Sequence, residues 1–134
     1  MSATQTCLII DSDSVGEELF QKAVEASDTV IEWTYVTSCR EAIKYILNKH
    51  TAAPDFVFFE WYMPGIDGID CLLTLRQYNK LAQARFVIYG GENREEMYQL
   101  SVRYDCLLLP KSESVSEMSR ILNSIFYLKS AQEL

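Results

Sequence analysis

Short apolar runs alternate along this chain with longer stretches in which apolar residues recur every third or fourth position. The short runs are Cys7 to Ile10, Val30 to Val36, Phe56 to Phe59, Phe86 to Tyr89 and Cys106 to Leu109. Their brevity and their aromatic and β-branched residues predict strands, covered on both faces where the run is continuous. Between them, Val15, Leu19, Phe20 and Ala23 mark a first helical period, Ala42, Ile43, Ile46 and Leu47 a second, and Ile69, Leu72, Leu73 and Arg76 a third. A weaker period runs from Arg94 to Arg103, and a last one carries Val115, Met118, Ile121, Leu122 and Ile125. Four starts also carry a capping side chain three residues before a glutamate: Ser14 with Glu17, Ser38 with Glu41, Asn93 with Glu96 and Ser114 with Glu117. Five β-then-α units predict a parallel sheet with helices on both faces and right-handed crossovers.

Composition narrows the function. The 134 residues, 49% apolar and 23% charged, suit one domain that buries a core without disulfide or metal. Lysine and arginine number 12 against 19 acids, a formal charge of -7 that disfavours nucleic acid and anionic membranes. No run approaches the roughly 20 apolar residues of a spanning helix, so the expectation is a cytoplasmic protein. Cysteines 7, 39, 71 and 106 form no CxxC pair and lie in apolar segments, which predicts buried thiols. The lone histidine, His50, follows a predicted helix end, which leaves zinc little support.

The stretch from Pro54 to Gly68 concentrates the chemistry. Its apolar run stops at one carboxylate, Glu60, before turn residues from Met63 to Gly68. In an open parallel sheet that junction is the carboxyl edge, where ligands bind. The same edge receives Asp11, Ser12 and Asp13 after the first strand, Gly90 and Gly91 after the fourth, and Pro110 and Lys111 after the fifth. Carboxylates placed together favour a cation, either a divalent metal or the Lys111 ammonium.

Asp11, the Pro54-Asp55 opening of the third strand, Met63-Pro64 with Asp67-Gly68, and Lys111 together resemble the receiver domain of bacterial two-component response regulators, CheY-like proteins. The resemblance covers roughly residues 6 to 129. It implies a flavodoxin-like, doubly wound α/β fold with five strands in the order 2-1-3-4-5 and five helices. It also implies a non-enzymatic part in phosphorelay signalling. Receivers take a phosphoryl group from a histidine kinase onto an aspartate with the help of Mg²⁺, and answer through the face made by the fourth helix, fifth strand and fifth helix. A partner there is a histidine kinase, another signalling protein or a second copy of the chain, as in a homodimer. Tyr98, Tyr104, Phe126 and Tyr127 add aromatic area to that side. Phe126 shares a stripe with Leu122 and reads as core, whereas Tyr127 reads as exposed.

The departures from the family pattern touch acceptor, metal and switch. Glu60 stands at the phosphoacceptor position, one methylene too long for a geometry in which about an ångström costs roughly a hundredfold. Ser12 replaces a metal-binding acid, which leaves weak Mg²⁺ ligation by Asp11, Asp13, Glu60 and the Tyr62 carbonyl. Gly90 replaces the switch hydroxyl, Leu108 the switch aromatic, and Ser112 the proline after the lysine. These substitutions imply an atypical, phosphorylation-independent interaction module, with Glu60 paired to Lys111 in place of a phosphoryl group. A working Mg²⁺-dependent receiver is the alternative. Leu8 to Val15 also resembles the first motif of haloacid-dehalogenase-type phosphatases, with Asp11 as nucleophile and Asp13 as acid, but that family's later aspartate pair and the room for a cap are not apparent. A flavodoxin-like small-ligand module lacks the Gly-rich phosphate cradle.

Overall fold

The computed structural model describes residues 4–11, 14–27, 30–63, 66–90, 93–109 and 114–133, with side chains omitted at 14–16, 62–63, 66–67 and 128–133. Five parallel strands, β1 (Gln5–Ile10), β2 (Ile31–Val36), β3 (Phe56–Glu60), β4 (Arg85–Tyr89) and β5 (Leu107–Leu109), form one sheet in the order β2-β1-β3-β4-β5. The helices are α1 (Ser14–Glu25), α2 (Cys39–Leu47), α3 (Gly68–Leu75), α4 (Arg94–Arg103) and α5 (Val115–Glu133). This is the expected doubly wound, flavodoxin-like topology.

The parity of the strands explains why their sequences run apolar without a break. Cys7, Ile9, Phe56, Phe58, Val87 and Leu109 face α1 and α5, where they meet Phe20, Leu122 and Phe126. Leu8, Ile10, Val57, Phe59, Phe86 and Ile88 face the other way, onto Ala42, Ile46, Leu72 and Met97 of α2, α3 and α4. Each central strand is therefore buried on both sides. Phe56 and Phe126 meet edge to face at 5.1 Å, and Phe20 and Phe58 at 5.3 Å, an arrangement that rings favour over face-to-face stacking.

The boundaries depart from expectation in detail. Val30 precedes β2 and is exposed, and Leu47 and Leu73 are exposed on their helices. The core side of α3 is Cys71, Leu72 and Leu75, and Arg76 lies just beyond the helix. The turn residues after Glu60 include a two-residue antiparallel ladder, Tyr62–Met63 with Ile66–Asp67. A 3-10 turn, Asn79–Leu81, leads into β4 and buries Leu81. Three caps form: Ser38, Asn93 and Ser114 accept from the N–H groups of Glu41, Glu96 and Glu117. Glu41 reaches past Ser38 to the Thr37 N–H at 2.8 Å and its hydroxyl at 3.0 Å, bonds that lower its carboxyl pKa. The Ser14 cap lies outside the described side chains.

The cysteines require a correction. Cys39 and Cys71 are disulfide-bonded to each other, with Cα atoms 5.8 Å apart. Their separation of 32 residues hides the contact, which arises only because α2 and α3 pack on the same face of the sheet. Cys7 and Cys106 are free thiols. Burial raises both pKa values, that of Cys106 to about 11.

Candidate functional site: the carboxyl edge of the sheet

Strands β1, β3 and β4 end side by side, with Phe59 opposite both Ile10 and Ile88, and Glu60 opposite Tyr89. The ladder continues one residue further. The Asp11 N–H donates to the Val36 carbonyl at 3.0 Å and the Trp61 N–H to the Tyr89 carbonyl at 2.9 Å, so sheet hydrogen bonding fixes the backbone on which the Asp11 and Glu60 carboxylates are carried. Asp11 is 3% exposed, and Glu60 is half-buried.

Gly90 follows β4 at φ +88°, backbone that side chains strongly disfavour. A Cβ built there would lie 3.6 Å from Glu60 Cγ and 3.8 Å from the Trp61 nitrogen. The Glu60 stem therefore runs beside a glycine whose identity is set by backbone conformation. Gly68 is restricted differently: a Cβ there would come within 2.9 Å of the Trp61 carbonyl oxygen and 3.2 Å of that of Glu60. The start of α3 thus rests directly on the backbone that carries Glu60.

Sequence reasoning missed two residues at this edge. The Tyr89 phenol lies beside the Asp11 carboxylate, and burial, first, and the Asp11 charge, second, hold it far above the ordinary tyrosine range. Tyr35 and Glu60 lie close enough to add smaller effects in the same direction. Read as strand residues, both tyrosines gave no functional signal. The available signal was parity: Tyr89 shares a face with Val87, one residue from the edge, and a buried phenol there must find an acceptor.

The structure accordingly brings Asp11, Glu60, Gly90, Tyr89 and Tyr35 to one edge. Leu108 sits mid-strand in β5, half-buried against the α2–α4 side. Ser12, Asp13, Pro110, Lys111 and Ser112 lie outside the described residues, and so does the expected Glu60–Lys111 pair. Tyr62 belongs to the short ladder by its backbone. Among the described residues no three ligating side chains cluster for a metal ion. Asp11 and Glu60 are the carboxylates this edge carries among the described residues, and Mg²⁺, which takes one or two carboxylates with water completing its octahedron, would be held by them.

No family model matches the sequence, and no curated protein does. Solved structures do match. The phosphorylated cyanobacterial phytochrome response regulator RcpA superposes with a TM-score of 0.77 at 20% identity over 96% of each chain. The chemotaxis response regulator CheY4 of Vibrio cholerae gives 0.72 at 14% identity, over 92% of this chain and 99% of its own. This chain has the CheY-like receiver fold. The Mn²⁺-bound form of response regulator Rcp1 shares it, with a TM-score of 0.71 at 16% identity over 90% of this chain and 91% of its own. In this receiver fold the edge carrying Asp11, Glu60 and Gly90 lies at the switch point between β1 and β3, where doubly wound sheets place ligands.

Proposed function

We propose that the chain is a single response-regulator receiver domain over residues 1–134, with its core at about 6–129, acting in phosphorelay signalling in the cytoplasm. It works as a phosphorylation-independent interaction module and not as an enzyme. The observation that carries this reading is Gly90 at φ +88° against the Glu60 stem. Gly90, beside the Glu60 stem, offers no hydroxyl to close on a phosphoryl group, and its backbone disfavours a residue that would. Glu60 stands in the sequence where receivers carry their phosphoacceptor, and Lys111 matches the lysine that receivers keep after the fifth strand.

Output falls to the face of α4, β5 and α5. Arg94, Tyr98 and Val102 recur every fourth residue along α4, and Arg94 pairs with Glu117 of α5 at 3.6 Å, which turns this stripe toward α5. Tyr98 and Val102 are exposed, as is Tyr127 on α5. Tyr104 packs half-buried against the core and contributes less than its sequence position suggests. The partner is a protein: a histidine kinase, another signalling protein or a second copy. Amide exchange across 94–127, with and without Mg²⁺ and acetyl phosphate, tests this reading. Unchanged exchange is expected, and phosphodonor-dependent protection of α4 or β5 would overturn it.

A second reading, an Mg²⁺-dependent phosphoacceptor using Asp11, Asp13, Glu60 and the Tyr62 carbonyl, draws support from the similarity to phosphorylated RcpA and Mn²⁺-bound Rcp1. It predicts saturable quenching of fluorescence from Trp61, next to Glu60, by Mg²⁺.

A further inference from the structure

Cys39 is the first residue of α2, and Cys71 lies in the first turn of α3. Both helices start at the carboxyl edge of the sheet, so the bond between these residues flanks the candidate site. A domain of this size buries its core without such a bond, and two full hydrophobic layers already do so here. Besides this pair, α2 and α3 meet through the shared apolar layer that holds Ala42, Ile46, Leu72 and Leu75. The disulfide adds a covalent tie between two helices that each have their own footing on the sheet.

What the tie restrains follows from Gly68. The start of α3 rests on the carbonyls of Trp61 and Glu60, so closely that a single added carbon would meet the Trp61 oxygen at 2.9 Å. Cys71 is three residues further along the same helix. Fixing Cys71 to α2 fixes α3, and fixing α3 presses on the backbone that carries Glu60. We propose that Cys39 and Cys71 are a reversible thiol–disulfide switch that sets how firmly α3 is held against the Glu60–Trp61 backbone of the site.

The chemistry needs an oxidant, and a small-molecule disulfide such as glutathione disulfide supplies it. The Cys39 thiolate, in a helix first turn where backbone N–H groups favour negative charge, attacks one sulfur, forming a mixed disulfide and releasing one glutathione thiolate. The Cys71 thiolate then displaces the second glutathione by attacking Cys39 Sγ. Two protein thiols lose two electrons and two protons, and the glutathione disulfide takes them up as two thiols. Reduction is the reverse. Cys39 is 4% exposed and Cys71 fully buried, so exchange requires the first turn of α2 to open and is slow. Cys7, fully buried, and Cys106, with a thiol pKa pushed up to about 11, take no part.

The switch adds regulation to the site proposed above and rests on that reading only for what it controls. Its occurrence is read by mass, whatever the site binds. The full chain is equilibrated in glutathione buffers from fully oxidised to fully reduced, quenched in acid, denatured, alkylated and weighed, with amide exchange followed in parallel. The expected result is a reversible shift of the alkylated population between two and all four of the cysteines. Exchange across 61–75 should be roughly tenfold faster in the reduced form. Four alkylated thiols in every buffer, or two in every buffer, would overturn the switch, and equal exchange in the two forms would overturn its coupling to the site. The double variant Cys39→Ala with Cys71→Ala should exchange like the reduced wild type in all buffers. Should that variant not fold, the wild-type titration decides alone.

Discussion

Gly90 and Tyr89 show how single residues shape this edge. Gly90→Ala places its methyl in ordinary contact with Glu60, so its cost is backbone strain, about 1–2 kcal/mol in urea denaturation. A wild-type-like value would mean that φ +88° is not enforced. Tyr89→Phe removes the phenol hydroxyl beside the buried Asp11 carboxylate and should lower stability by about 1 kcal/mol at neutral pH. Its alkaline behaviour follows from the raised pKa values. The folded chain keeps the Tyr89 and Cys106 protons to higher pH than the unfolded chain. Their contribution is complete below the ordinary cysteine value of about 8.5 and is lost as pH rises above it. Urea midpoints should therefore fall on the alkaline side, and less steeply in Tyr89→Phe.

At the scale of elements, the starts of α2, α4 and α5 were legible because a cap is local: three residues and two side-chain types suffice. Ser38→Ala should cost about 1 kcal/mol in urea denaturation. The lowered Glu41 pKa adds stability above the ordinary carboxylate range that disappears as pH falls through it. The strands were legible because burial on both faces erases polar alternation. Val30 and Leu47 misled because an apolar residue at an element's end satisfies the pattern whether or not anything covers it. The Cys39–Cys71 bond and the Tyr89–Asp11 contact were not legible, since each joins residues brought together only by tertiary packing. The positions of Asp11, Glu60 and Gly90 at one edge were legible because strand order alone dictates them.

For the whole molecule, surface and core aromatics on α4 and α5 should separate cleanly. Tyr127→Asp and Tyr98→Asp are expected to change the unfolding free energy by less than about 0.5 kcal/mol, whereas Phe126→Ala, which removes a ring packed on Phe56, should cost about 3–5 kcal/mol. A large loss from either tyrosine substitution would remove it from the proposed output surface. The CheY-like fold is complete in this chain, with Glu60 and Gly90 side by side at its carboxyl edge. On the function proposed above, this edge takes up no phosphoryl group. Intact mass after incubation with Mg²⁺ and acetyl phosphate tests it most directly. The account predicts an unchanged mass, and a stoichiometric gain of one phosphoryl group, labile to hydroxylamine and absent from Glu60→Gln, would contradict it.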